Sequence, residues 1–186
     1  STPQTPSGTT VPPSGARIRL CIEADQRAGS LLDALERTNG WATFYCTPEF
    51  MENNGDLLRR LAVSGSAVGL LLDPEDPAES LDQQLKRGND ALYRATLTRT
   101  RLVYADGGEE TLQALEQLGY SCLTPDMDRT DYKLESAANA AALLKRVSAR
   151  RRDMSVWLGT TASAAGVKEF VSSAQREGHY CRAMTE

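Results

Sequence analysis

The regular switching of the apolar pattern between short runs and amphipathic stretches is what most constrains the fold of this 186-residue chain. Residues 18–23, 42–46, 67–72, 101–104, 120–123, 154–158 and 180–184 read as strands: short, largely apolar, and bounded by turn residues. Between them, residues 30–38, 49–63, 80–93, 109–118, 134–149 and 164–176 carry apolar side chains at helical spacing, with Leu31, Leu32 and Leu35 in the first and Leu81, Leu85 and Leu92 in the third. Ser64-Gly65 supplies the usual helix stop, and Asp73-Pro74-Glu75-Asp76-Pro77 breaks any strand. Seven strands alternating with six helices require parallel pairing through right-handed crossovers. Periodicity alone leaves two architectures, an open doubly wound sheet or a barrel.

The length suits one domain burying roughly 70% of its unfolded surface. A net charge of −4 argues against a nucleic-acid partner, which needs a clustered positive field. Arg150-Arg151-Arg152 is the only dense basic run, and at a helix end it reads as a solvated surface that complements the helix dipole. Residues 1–16 are rich in Ser, Thr, Pro and Gly without apolar periodicity, and they read as a flexible linker. The chain opens on Ser1, and a linker of this composition is expected to tether an exported domain to a membrane or lipid anchor. Cys21, Cys46, Cys122 and Cys181 match no zinc spacing and each falls in an apolar run. Buried thiols explain them, and disulfides stay open for an exported protein. Ala105-Asp106-Gly107-Gly108 lacks the lysine of a phosphate loop. No serine stands in a nucleophile elbow, and a Ser–His–Asp triad would have to recruit His179, the one histidine.

Several segments point to a known architecture. They are Trp41-Ala42-Thr43-Phe44-Tyr45-Cys46, Asp56-Leu57-Leu58-Arg59-Arg60, Leu118-Gly119-Tyr120, Asp126-Met127-Asp128-Arg129-Thr130-Asp131-Tyr132 and Glu177-Gly178-His179-Tyr180. In these, taken in order, the chain resembles the polysaccharide deacetylases, the NodB-homology domains of carbohydrate esterase family 4, over residues 17–186. The resemblance implies a distorted (β/α)7 barrel, preceded by the linker over 1–16. By analogy with other parallel barrels, the groove is expected at the carboxyl ends of the strands.

Deacetylases of this kind hold a divalent metal on one Asp and two His, use a second Asp as base, and protonate the leaving amine with a further His. Carried over position by position, the first motif (T-F-D-D-G) falls on Cys21-Ile22-Glu23-Ala24-Asp25, so Glu23 takes the base position and Ala24 the metal Asp. Asp25 is one residue along and stays a candidate. The second motif (H-x-x-x-H) falls on Leu71-Leu72-Asp73-Pro74-Glu75, neither end of which is histidine. The third falls on Arg101-Leu102-Val103-Tyr104-Ala105, keeping the Arg and Tyr. The fourth keeps Asp126, Asp128 and Asp131, with Tyr132 in place of Trp. The acid motif (L-x-H) falls on Trp157-Leu158-Gly159. A single histidine excludes a bis-histidine site in any alignment.

The expectation is therefore a catalytically inactive deacetylase-like domain with no metal or other cofactor, outside the cytoplasm. It would bind cell-wall or other glycan, or a partner protein, through a remnant groove. Arg101, Tyr104, Asp126, Asp128, Asp131, Tyr132 and Asp25 are the ligand-binding candidates, and Glu23 is the relic base. Tyr104, Tyr132 and Trp157 could offer a stacking face to a sugar ring, and Arg101 is expected to meet Asp131. Asp73, Glu75 and Asp76, with Glu23 and Asp25, read as a solvated acidic rim, since no EF-hand spacing is present. Two other readings stay open: an active deacetylase of metal-independent chemistry on C–N bonds, and a structural module whose groove is filled.

Overall fold

Each strand of the alternating pattern finds a parallel partner, as a helical crossover requires. The computed structural model describes residues 15–128 and 133–186. In chain order the elements are β1 (Arg17–Glu23), α1 (Ala28–Thr38), β2 (Thr43–Cys46), α2 (Pro48–Asn53), α3 (Gly55–Val63), β3 (Ala67–Leu72), α4 (Leu81–Thr96), β4 (Leu102–Ala105), α5 (Glu109–Gln117), β5 (Ser121–Cys122), α6 (Ala137–Arg150), β6 (Met154–Gly159), α7 (Ala164–Arg176) and β7 (Tyr180–Cys181). The sheet runs β5-β4-β3-β2-β1-β6, with β7 added to β1. It curls into a half-barrel with helices outside. β5 and β6 share no ladder, and the segment following β5 spans between them. Leu123 N–H donates to Val103 on β4 at 2.8 Å, and Met127 bridges Val156 on β6.

Alternation along β1 separates two cores. Ile18, Leu20 and Ile22 face the helices and pack with Leu31, Leu35, Val167 and Phe170. Cys21 faces the barrel interior with Tyr45, Leu102, Leu123 and Trp157. Tyr45 lies there because β3 offers it a glycine: a Cβ on Gly69 would stand 2.6 Å from the Tyr45 ring. None of the four cysteines is in a disulfide; Cys21, Cys46 and Cys181 are buried and Cys122 half-buried.

The helix expected over 49–63 is two. Asn54, with φ −134° and ψ 46°, leaves the helical region, and its Nδ2 donates to Phe50 O at 2.8 Å, closing α2 before α3 begins. The last strand is also shorter than expected, because residues 182–186 cross beneath the amino ends of the strands. Arg182 N–H donates to Ile18 O at 3.0 Å, Met184 N–H to Thr43 Oγ1 at 2.8 Å, and Glu186 Oε1 accepts from Arg101 N–H at 2.6 Å.

Most of the stretch read as a linker, residues 1–14, lies outside the described residues. Its last two members, Gly15 and Ala16, are packed. Ala16 N–H donates to His179 Nδ1 at 2.9 Å, and a Cβ on Gly15 would meet Gly178 O at 2.2 Å. Among the described residues no helix is long and apolar enough to cross a membrane.

Two outcomes are expected. Gly69→Ala should cost about 1–3 kcal/mol through overpacking against Tyr45, read as a lowered urea midpoint; an unchanged midpoint would mean that the ring gives way freely. Burial pushes the Cys21, Cys46 and Cys181 thiols from 9.0 up to about 12. Raised folded-state values mean that this stabilisation is complete below about pH 9 and lost progressively as pH rises toward 12. Iodoacetamide at pH 8 should therefore label Cys122 first, and the other three only once denaturant is added; equal labelling rates would contradict this burial.

Candidate functional site

Parallel topology collects the loops after β1, β2, β3, β4 and β6 at one end of the barrel, where residues of the carried-over motifs can be located one at a time. Glu23 ends β1 on the interior-facing register of Cys21, half-buried. Its carboxylate has no ion pair or hydrogen-bond partner among the described residues. Ala24 is buried, and its N–H donates to Tyr45 O at 2.9 Å. Asp25 does not turn into the barrel. Its Oδ1 accepts from Arg27 N–H at 2.8 Å, and its Oδ2 pairs with Arg27 Nη2 at 3.0 Å. Arg27 also donates to Thr160 O, so it ties the loop after β1 to the loop after β6. Arg27 was invisible to motif reading, although Asp25-Gln26-Arg27 has the spacing of an aspartate that caps the turn two residues on.

Two candidates lie at the wrong end. Arg101 precedes β4 and is exposed at the amino ends of the strands, its N–H bound to Glu186. Asp126 sits at the amino end of β6, accepting from Ser155 N–H at 2.8 Å and from Arg152 Nη1 at 3.4 Å. The resemblance put these residues at the groove, but Arg101 stands at the amino end of the strand read over 101–104 and Asp126 lies beside the start of β6. Asp128 follows the bridge to β6 and is half-buried. Asp131 and Tyr132 lie outside the described residues, and with them the expected Arg101–Asp131 pair.

Of the aromatic candidates, Trp157 belongs to the core and Tyr104 packs against it. Tyr104 and Trp157 lie 4.3 Å apart between centroids at 34°, and Tyr45 meets Trp157 edge-on at 5.8 Å. Trp157 is only 5% exposed, so its face serves packing rather than a sugar ring. Burial raises the Tyr45 phenol well above its usual value, and its hydroxyl has no hydrogen-bond partner.

The open space lies beside this plug. A cleft of about 820 Å³ runs over the carboxyl ends of β2, β3 and β4, floored by Leu71 and Leu72. Glu49, Asp73, Glu75, Asp76, Glu79 and Asp106 line it, opposed by Arg87 alone. Arg87 is itself held by Glu52 at 2.7 Å and Glu79 at 2.6 Å. Several of these acids shape their own loop: Asp73 accepts from Glu75 N–H and Asp76 from Ala78 N–H. Buried Gln84 clamps that loop, accepting from Asp73 N–H at 2.8 Å and donating to Asp73 O at 2.7 Å and Glu79 O at 3.1 Å. A signal for it existed, since Gln84 falls on the apolar face marked by Leu81, Leu85 and Gly88. Glu23 and Asp25 are not part of this rim.

The residues present do not fit a catalytic divalent metal. Ala24 and Leu71 have no donor atom, Asp25 is committed to Arg27, and no three His, Cys, Asp or Glu side chains converge among the described residues. His179 does not form a catalytic dyad with Ser148. Accepting from Ala16 N–H at Nδ1 places the neutral ring's proton on Nε2, which donates to Ser148 Oγ at 3.0 Å; Ser148 in turn donates to Glu177. A histidine in that tautomer cannot take the serine's proton.

Removing the unpartnered phenol should be harmless. Tyr45→Phe is expected to leave stability unchanged or raise it by about 1 kcal/mol, since an unpaired buried hydroxyl costs ~1–3 kcal/mol. A clear loss in thermal melts would reveal a partner for the hydroxyl.

No family model and no curated protein matches the chain. Solved structures do. The polysaccharide deacetylase Bc1974 from Bacillus cereus superposes with a TM-score of 0.74 at 17% identity, covering 92% of this chain and 92% of that one. A family 4 carbohydrate esterase from Streptomyces lividans, in complex with acetate, gives 0.73 at 17% identity over 91% and 92%. The peptidoglycan deacetylase PdaC from Bacillus subtilis gives 0.72 at 17% identity over 91% and 88%. With these neighbours spanning nine-tenths of its length, the chain has the (β/α) barrel fold of the polysaccharide deacetylases of carbohydrate esterase family 4.

Proposed function

We propose that this domain is a non-hydrolytic glycan-binding member of the deacetylase fold, acting outside the cytoplasm. One observation carries the reading: the positions of the metal ligands and the acid hold Ala24, Leu71 and Gly159, while a cleft of about 820 Å³ persists at the carboxyl ends of the strands. A hydrolase without metal or acid loses both its carbonyl polarisation and its leaving-group protonation. A sugar needs neither to bind. Carboxylates accept hydrogen bonds from hydroxyls and amines, so a rim with six of them and one arginine suits neutral or amine-bearing glycans and disfavours anionic ones. The glycan substrates of fold neighbours such as the peptidoglycan deacetylase of Bacillus subtilis support the choice of ligand class and compartment.

The test pairs an activity assay with a titration. With N-acetylated chito-oligosaccharides and peptidoglycan fragments, no acetate release above blank is expected, with or without added zinc. Calorimetric titration of chito-oligosaccharides, acetylated and deacetylated, is expected to give saturable binding that Asp73→Asn and Asp106→Asn weaken. Acetate release with turnover would overturn the inactive reading, and its loss in Glu23→Gln would then point to a metal-independent base. Absence of binding to every glycan tested would overturn the ligand class.

A further inference from the structure

The opposite end of the barrel carries a second site. A pocket of about 490 Å³ opens at the amino ends of the strands, lined by Arg17, Arg19 and Arg182 with Ala67, Met184 and Thr185. No carboxylate side chain lines it. Arg19 lies on the interior-facing register of β1, two residues before Cys21, and its Nε is buried without a hydrogen-bond partner. Arg182 is pre-oriented: its guanidinium lies 4.7 Å from the Tyr180 ring centroid and donates to Cys181 O at 3.1 Å. Carboxylates at this end are engaged elsewhere: Asp153 with Arg17 N–H at 2.9 Å, Glu186 with Arg101 N–H at 2.6 Å and Asp126 with Ser155 N–H at 2.8 Å. Among the described residues none of the three arginines forms an ion pair.

Exposed Arg37, Arg94, Arg99, Arg101, Arg150 and Arg151 also lack an ion pair among the described residues, but none of them lines this pocket. Arg27, Arg59, Arg60, Arg87, Arg152 and Arg176 each meet an acid. Nor does the helix dipole account for the trio, because the helices ending at this face carry their own last-turn cations, such as Arg37, Arg60 and Arg94. Three convergent guanidiniums without counter-charge, one with a buried unused donor, are a site for a multiply charged oxyanion.

We propose that this pocket binds a phosphate group, as a phosphomonoester or phosphodiester. Such a group brings several acceptor oxygens that match the planar arginine fork, and a monoester carries about −1.5 to −2 charge to set against three cations. The volume leaves room for the sugar, polyol or lipid glycerol on which the phosphate is carried. The site is independent of the cleft at the carboxyl ends, which repels anions.

The test titrates inorganic phosphate, then glycerol 3-phosphate, into isotopically labelled protein at low ionic strength. Saturable shifts are expected on the amides of Arg17, Arg19 and residues 182–185, with about a tenfold loss of affinity on removing one arginine–oxyanion contact. Arg182→Gln and Arg17→Gln, at surface positions, keep the test valid should Arg19→Gln fold poorly. Sedimentation with phosphatidylglycerol and with phosphatidylcholine vesicles identifies the source. Arginine-dependent pelleting with the former alone assigns a lipid headgroup; retention in solution with intact glycerol 3-phosphate binding assigns a soluble phosphate. Phosphate binding unchanged in the arginine variants, shifts scattered over all the arginines, or no binding at all would each overturn the proposal.

Discussion

All-parallel strand pairing decides more in this molecule than any single contact. Because every β-strand runs the same way, every crossover helix returns the opposite way, and the two ends of the barrel acquire opposite chemistry. Helix amino termini gather at the carboxyl ends of the strands. There Thr47, Ser80, Ser136 and Ser163 cap them, and Glu49, Asp56, Asp82, Glu109 and Glu110 occupy first turns. Helix carboxyl termini gather at the other end, with Arg37, Arg60, Arg94, Arg150 and Arg176 in last turns. Each placement is favourable by about 0.3–1 kcal/mol against the helix dipole. Summed over a one-way fold, they divide a chain of modest net charge into an acidic end and a basic end. The acidic cleft and the arginine pocket are local concentrations of that division.

The interior is filled by aromatic packing. Tyr45, Tyr104 and Trp157 meet inside the barrel, and burying side chains of this size is worth roughly 1.5–3 kcal/mol each. A small residue makes the room: Gly69 lies beneath the Tyr45 ring. The unpartnered phenol of Tyr45 is the one polar cost of this packing beside Arg19 Nε among the described side chains. An aromatic plug and a metal site are competing solutions to the same volume, because a metal site needs converging donors and access for water, whereas the plug excludes both.

How much of this could be read from the sequence depended on the range of the interaction. Strand identity was legible because alternation along β1 and the apolar runs of β2 and β3 are local properties. The break at Asn54 was missed because apolar spacing continues across it, from Phe50 and Met51 to Leu57, Leu58 and Leu61, and only the side-chain bond to Phe50 O reveals two helices. Placement of Arg101 failed for a different reason. Its motif was matched residue by residue, although the apolar run over 101–104 already set Arg101 at the amino end of a strand, where β4 indeed begins at Leu102. Trp157 stood open as a stacking face because sequence does not say which aromatic meets another; it packs on Tyr45 and Tyr104. Arg27 carried no family motif at all, and its importance is purely spatial: it joins two loops distant in sequence.

That link bears on whether a metal site could be built at the end of β1. Replacing Ala24 by aspartate would set a third carboxylate between Glu23 and Asp25 at a buried position, where like charges raise one another's cost and desolvation adds several kcal/mol per ion. Only a bound cation would offset it, and binding one needs donors at Leu71 and Glu75 at the same time, on a different loop. Arg27 works against each step. Its guanidinium already neutralises Asp25 and spans to Thr160, and a fixed positive charge there repels an incoming divalent ion. Removing Arg27 first would release Asp25 but cut the link between the loops after β1 and β6. Each single change toward a metal site is therefore unfavourable until the others are in place, so an aromatic interior closed by the Asp25–Arg27 ion pair resists stepwise construction of such a site.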